Sequence, residues 1–294
     1  MNGIINFYKP KGITSHGAVN FFRKLTGIKR IGHTGTLDPN AEGILPICIG
    51  KATRVSEYLL SADKAYMGEL ILGQATDTQD KDGKVINTSS KTVSEEDIRN
   101  SFSKFKGEIL QIPPMYSALK HKGKKLYDLA REGKTVERTP RNINIYDLEI
   151  KEITNNRKVS FYVKCSRGTY IRTLSHDIGE DLGTFAYMSK LTRVEVGPFS
   201  MKNSYRKDEL EDLGKDEIKE FLLPIDYALM QFEKINMPSE FYKNLKNGMK
   251  IKVERNQYNL DELYRVYSNN VFIGLGEIIE KDEIHLLKMN KVFV

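Results

Sequence analysis

The chain has little that a metal centre, a redox couple or a membrane could use. Among its 294 residues are only two cysteines, Cys48 and Cys165, far apart and neither in a C-x-x-C pair, so zinc and dithiol motifs are absent. This sparing use of cysteine fits a reducing cytoplasm. His121, His176 and His285 have no partners at metal-ligand spacing. Nowhere do about 18 apolar residues run together, and the opening MNGIINFYKPKG has no long apolar core after a basic start. A soluble, unprocessed chain is expected. Nucleotide-binding loops are also missing. The Gly50-Lys51 pair is followed by Ala52 and has Leu45 where a P-loop needs its first glycine, and no G-x-G-x-x-G occurs.

What is present is length, charge and one dense loop. The length suits one large domain plus a small one, and 39% apolar content supports a proper core. The net charge of +7 favours an anionic partner. It is concentrated: residues 1–65 hold 9 basic and 4 acidic groups, residues 118–141 hold 8 and 3, and the rest of the chain is net acidic. Two basic blocks suit a polyanion-binding face better than general solubility.

The dense loop is Gly32 to Arg54, with Gly32, Gly35, Gly43 and Gly50 and two prolines, Pro39 and Pro46. Such a run implies a compact loop in conformations that ordinary residues avoid, leading into a strand. Its one aspartate, Asp38, precedes a proline and is thereby pushed out of the α region. That makes it an aimed carboxylate, although an Asp in a loop commonly does no more than hydrogen-bond its own backbone.

Around the loop, Gly3–Tyr8 reads as a strand and Ser15 as the cap of a helix with Val19, Phe22 and Leu25 on its apolar face, ending at Gly27. Ile44–Ile49 is an apolar strand, followed by a helix through Glu57–Leu60. In a further strand Tyr66, Gly68, Leu70 and Leu72 share one face. Ser94-Glu95-Glu96-Asp97 fits a capping box that opens a helix to about Phe105. Asn142–Ile153 and Lys158–Cys165 look like strands paired around Asn155-Asn156, with a helix from Thr169 to about Leu182 and an acidic helical stretch over Asp208–Phe221. Irregularly alternating helices and hairpins predict an α+β fold with a mixed, mainly antiparallel sheet.

The run His33-Thr34-Gly35-Thr36-Leu37-Asp38-Pro39, continuing through Gly43 to Gly50-Lys51-Ala52-Thr53, closely resembles the catalytic motif of the bacterial tRNA pseudouridine-55 synthases, the TruB family. Lys64-Ala65-Tyr66 with Thr76-Asp77-Thr78-Gln79-Asp80 resembles that family's second motif, Cys165 to Leu174 its third, and Leu191-Thr192-Arg193 its fourth. The resemblance implies a pseudouridine synthase domain over residues 1–235 with an RNA-binding insertion at about 118–141. From about Met237, a helix and three strands resemble a small PUA-like RNA-binding β-barrel, residues 236–294.

For the site, the resemblance implies Asp38 as the catalytic carboxylate, Arg172 against it, Tyr170 near C5 of the uracil, Tyr66 stacking on the base and Leu191 packing beneath it. His33 would contact displaced RNA bases. A carboxylate enclosed in such a pocket would tend to take up a proton, so a fixed cation beside it is needed, and an arginine stays charged at any working pH. Arg193 and Arg99 serve as the contrast, arginines expected on exposed helix faces. Asp77 and Asp80 either position RNA or the loop, or cap a turn.

The implied reaction is isomerisation of uridine 55 in the T loop of tRNA, with the base flipped into a pocket. Neither cofactor nor metal is needed. The expected partner is tRNA, with no membrane, no obligatory protein partner and a monomeric chain. The block from Ala118 to Arg141, including Lys122, Lys124 and Lys125, would form a thumb-like loop that closes over the T loop. Two alternatives share these motifs: a guide-dependent RNA pseudouridine synthase, and a non-catalytic RNA-binding or RNA-folding protein on the same fold.

Overall fold

The computed structural model describes residues 1–255 and 257–294. Its main sheet has nine strands. From one edge the order runs Gly3–Lys9, Glu42–Ile49, Ala186–Val196, Lys64–Leu72, Lys158–Cys165, Arg141–Thr154 and Gly107–Gln111, with Ile31–His33 and Phe199–Ser200 paired alongside. Every neighbouring pair is antiparallel except Ala186–Val196 with Glu42–Ile49, which run parallel and meet at Thr192–Glu42 and Arg193–Gly43. A mixed, mainly antiparallel sheet was the expectation.

Several elements follow directly from local pattern. In Lys64–Leu72 the face carrying Tyr66, Gly68, Leu70 and Leu72 is buried, while Met67 and the intervening residues are not. The Ser94 capping box is formed with Asp97 and opens the helix Glu95–Lys104. Asn155 and Asn156 both take positive φ, 53° and 50°, in the turn between the paired strands. The asparagine side chain tolerates that region.

Two expectations are corrected. The helix Ser15–Thr26 is capped by Thr14, whose hydroxyl accepts from the Gly17 N–H, so Ser15 is free for another task described below. Over Asp208–Phe221 there is no single helix. A one-turn helix, Lys207–Leu210, and a 3-10 turn, Glu217–Phe221, flank Gly214, and each buries one residue, Leu210 and Ile218. Glycine in the middle of the stretch and too few apolar positions leave no continuous face to pack.

The helix Ile171–Asp181 lies on the main sheet and drives Ile171, Leu174 and Ile178 into a core shared with Tyr66, Leu191 and Leu37. A second, five-stranded sheet is built from Glu233–Met237, Leu263–Ser268, Val271–Lys281, Ile284–Val292 and Ile251–Lys252. Its first strand crosses residue 236. Val292 and Phe293 are latched to the last residues of the dense loop: Lys51 Nζ donates to the Phe293 carbonyl at 3.0 Å, and Arg54 Nη1 to that of Val292 at 2.6 Å.

Candidate active site

Asp38 stands on a loop tied down at three points. Ser15, 3% exposed, accepts from the Leu37 N–H at 2.8 Å and donates to the Leu37 carbonyl at 3.0 Å, so both backbone groups of the residue before the aspartate are fixed. Leu37 itself is anchored in the core. On the other side Lys9, fully buried, donates to the carbonyls of Pro10, Ile13 and Pro39 at 2.9, 2.9 and 3.2 Å. Burial pushes this ammonium down to about 8, partly offset by the negative charge of Asp38. The aspartate is thereby aimed by its neighbours' backbone, as its sequence context implied.

Arg172 meets Asp38 from the first turn of the helix Ile171–Asp181. Its Nε lies 3.0 Å from Asp38 Oδ2 and its Nη2 donates to Oδ1 at 3.4 Å, a two-pronged contact across 134 residues. The remaining donors reach the carbonyls of Thr78 at 3.1 Å and Tyr116 at 2.9 Å, and Nη1 stands 3.5 Å from Asp80 Oδ2. Only an arginine offers so many donors in one plane.

The burial is the reverse of the expected one. The Asp38 side chain is 40% exposed to the cleft, whereas Arg172 is 6% exposed. It is therefore the cation that is enclosed, and Asp38 and Asp80 together compensate it. Asp80 caps its turn and also faces the cation: Oδ1 accepts from Thr78 Oγ1 at 2.6 Å and from the Asp82 N–H at 3.1 Å, and Oδ2 faces the guanidinium. Desolvation raises the Asp80 pKa, against the pull of Thr78 and Arg172. Asp77 caps the turn alone, accepting from the Lys84 N–H at 2.8 Å.

Arg193 is a second correction. It lies in a strand and is 1% exposed. Its Nε donates to the Ile44 carbonyl at 2.7 Å and its Nη2 to that of Gly35 at 3.2 Å. Against the larger rise from burial, its positive charge also lowers the pKa of the Tyr66 phenol. Arg193 thus ties the parallel strand junction and the catalytic-type loop into one unit. Gly43 permits the junction: it has φ +114°, and a Cβ there would run into the Arg193 backbone.

Asp38, Asp80, Arg172 and Arg193 line one cleft of about 980 Å³, at the upper end of the roughly 300–1,000 Å³ of small-molecule sites. Tyr66 is 7% exposed in its wall, and desolvation pushes its phenol up to about 12. Leu191 is 6% exposed and also lines it. His33 Nδ1 accepts from the Gly35 N–H at 3.3 Å, which leaves the ring proton on Nε2. Burial, then the charges of Arg193 and His16, lowers the His33 pKa. A neutral imidazole suits contact with bases.

Tyr170 precedes the helix and half-enters the cleft; burial raises its pKa. Its backbone is held by one side chain, since Gln111 Nε2 donates to the Tyr170 carbonyl at 3.1 Å and Gln111 Oε1 accepts from its N–H at 2.8 Å.

The basic insertion is folded against the cleft. Lys120–His121 and Lys124–Lys125 form a small hairpin, and Leu126–Arg131 a helix with Leu126 and Leu129 buried. Of the three lysines named from sequence, Lys125 lines the cleft. Lys122 and Lys124 stay on the exposed hairpin outside it, Lys124 at 3.9 Å from Glu132. Two cleft residues of this block escaped the sequence reading: Tyr127, with Lys125 at 5.2 Å and Arg131 at 5.4 Å from its ring centre, and Arg131 itself. An L-Y-x-x-A-R helix beside lysines was the available signal. Lys9, Ser15 and Gln111 were also missed, because each reaches a backbone group far away in sequence, Pro39, Leu37 and Tyr170 respectively.

With this geometry in view, the likenesses to known proteins are informative. The N-terminal domain of TruB family pseudouridylate synthases matches residues 23–171, the C-terminal domain of tRNA pseudouridylate synthase B residues 172–230, and the C-terminal part of pseudouridine synthase II TruB residues 234–285. The tRNA pseudouridine synthase B of Clostridium tetani is 46% identical over 280 residues, 94% of this chain and 96% of that protein. That of Clostridium novyi is 49% identical over 279 residues, 94% and 95%. Among solved structures, a Cbf5-Nop10-Gar1 complex contains a chain 29% identical, with a TM-score of 0.77 over 99% of this chain and 85% of that one. An H/ACA RNP bound to a substrate RNA containing 2'-deoxyuridine gives 27% and 0.77 over the same shares. The family domains, the near-full-length relatives and the shared fold agree: the chain belongs to the TruB family of pseudouridylate synthases.

Proposed function

We propose that this chain isomerises uridine 55 in the T loop of tRNA to pseudouridine, alone and in the cytoplasm. The single observation that carries the reading is the Arg172 fork on Asp38 in the lining of a cleft large enough for a flipped nucleotide. The reaction breaks the N1–C1′ bond, turns the uracil and joins C5 to C1′; the C5 proton leaves and N1 gains one. Atoms balance with no redox change. Asp38 is the carboxylate that serves as nucleophile or charge stabiliser when the base detaches. Arg172 holds it in one orientation, Tyr66 stacks on the uracil, Leu191 packs beneath it and Tyr170 faces C5. His33 sits where bases displaced beside the uridine would pass. Unstacking the uridine costs a few kcal/mol, and stacking in the pocket offsets it.

The near-full-length relatives carry the name tRNA pseudouridine synthase B, which supports tRNA as the substrate. A second reading has a specific observation behind it, since the solved neighbours come from an H/ACA RNP bound to a substrate RNA and from a Cbf5-Nop10-Gar1 complex. Lys125, Tyr127 and Arg131 at the cleft favour direct reading of the T loop by this chain. Purified protein incubated with an unmodified tRNA transcript and no other factor tests it. Pseudouridine mapped to position 55 is expected; turnover only with an added guide RNA would establish the second reading instead.

A further inference from the structure

Ser117 is the buried polar group of the cleft that the proposed chemistry leaves unused. It is 4% exposed, it lines the cleft, and its hydroxyl lacks a hydrogen-bond partner of good geometry among the described residues. A buried hydroxyl left so is costly unless something else depends on it. The phenol of Tyr170 lines the same cleft, and Ser117 is among the groups that act on it.

Both residues are held in place by their backbones. The Ser117 N–H donates to the Met115 carbonyl at 2.9 Å and its carbonyl accepts from the Tyr127 N–H at 3.1 Å. The residue before it, Tyr116, gives its carbonyl to Arg172. Gln111, 2% exposed, clamps both backbone groups of Tyr170. With both main chains fixed, what remains free is rotation of the serine and tyrosine side chains.

We infer that Ser117 is a positioning residue for Tyr170: its hydroxyl donates to the phenolic oxygen and turns that oxygen toward C5 of the converted uracil. The inference rests on the proposed function, in which Tyr170 stands at C5. Once C5 has joined the sugar carbon, the C5–H bond must break. Its electron pair returns to the ring, and the proton passes to the Tyr170 oxygen in its phenolate form and from there to solvent. A donor on that oxygen stabilises the phenolate. The phenol's shifted pKa has the same shape: burial raises it, and Ser117 is the foremost group lowering it, ahead of Arg141 and Arg172. Asp38, the remaining charged neighbour acting on the phenol, raises it.

The test uses the full-length protein and tRNA transcripts with protium or deuterium at C5 of the target uridine. Ser117→Ala should lower kcat by about tenfold, the scale of one hydrogen bond, with KM unchanged. It should also enlarge the C5 isotope effect and move the rise of the pH–rate profile to higher pH, while Ser117→Thr restores the parent's behaviour. In a Tyr170→Phe background, Ser117→Ala should cost nothing further. A Ser117→Ala enzyme with the parent's isotope effect and pH profile would overturn the inference, as would an equal loss in the Tyr170→Phe background. Either result leaves the proposed function standing. A parent that forms no pseudouridine in tRNA would instead remove that reading and this inference together.

Discussion

Replacing Arg172 by methionine, and separately by lysine, divides the guanidinium's electrostatic work from its geometric work. Methionine removes the fork on Asp38, the hydrogen bonds to the carbonyls of Thr78 and Tyr116, and the approach to Asp80. Breaking a buried pair by deleting one partner typically costs about 3–5 kcal/mol. Here the upper end is not reached. Asp38 is 40% exposed and gains water, and Asp80 keeps the Thr78 hydroxyl and the Asp82 N–H. A drop of about 3 kcal/mol in urea unfolding is expected, with turnover down by at least about a hundredfold because the carboxylate is no longer held. Lysine keeps the charge but has no planar fork, so it should recover about half of the missing stability and little of the missing turnover. Single-turnover pseudouridine formation at saturating tRNA, measured beside unfolding curves for the three proteins, reads both quantities. A lysine variant within about tenfold of the parent, about 1.4 kcal/mol of barrier, would refute the view that orientation by the fork is what matters.

Two further outcomes follow from the geometry. Lys125→Gln with Arg131→Gln should weaken tRNA binding and flatten its log–log salt dependence by about 0.7–0.9 for each phosphate that is no longer neutralised, whereas Lys122→Gln with Lys124→Gln, which alters residues outside the cleft, should do so less; filter-binding titrations against salt decide it. Asp177, half-buried on the helix that carries Arg172, has its carboxyl pushed up from 3.8 to about 6 by burial and by Glu180. A carboxylate raised in the fold contributes most when protonated, and that contribution fades as pH rises from about 4 through 6. Asp177→Asn should therefore stabilise the protein by about 2 kcal/mol at pH 7 and much less at pH 4, as denaturant melts at the two pH values would show.

The parts of the fold that were legible are those whose cause is local. Tyr66, Gly68, Leu70 and Leu72 announce a buried strand face by spacing alone, and Ser94 with Asp97 announces a helix start. What could not be read depends on partners far away in sequence. Thr14 and Ser15 are both competent caps, and the choice between them is made by Leu37, whose backbone takes the Ser15 hydroxyl. Arg193 reads as an ordinary surface arginine until the strand bearing it pairs in parallel with the one bearing Gly43, which buries it. At the site, motif resemblance supplied Asp38 and Arg172, but it did not show which of them is enclosed. That was decided by Asp80 and the Tyr116 carbonyl closing over the arginine.

The central claim is that Asp38, held by Arg172, performs the isomerisation on tRNA without help. Asp38→Asn removes its charge at almost constant volume, so it separates chemistry from binding. Parent and variant, each purified and incubated with an unmodified tRNA transcript, should bind it with similar affinity, but only the parent should yield pseudouridine at position 55. An Asp38→Asn enzyme that turns over within about tenfold of the parent would contradict the account, since about 1.4 kcal/mol is too little for removal of the reacting carboxylate.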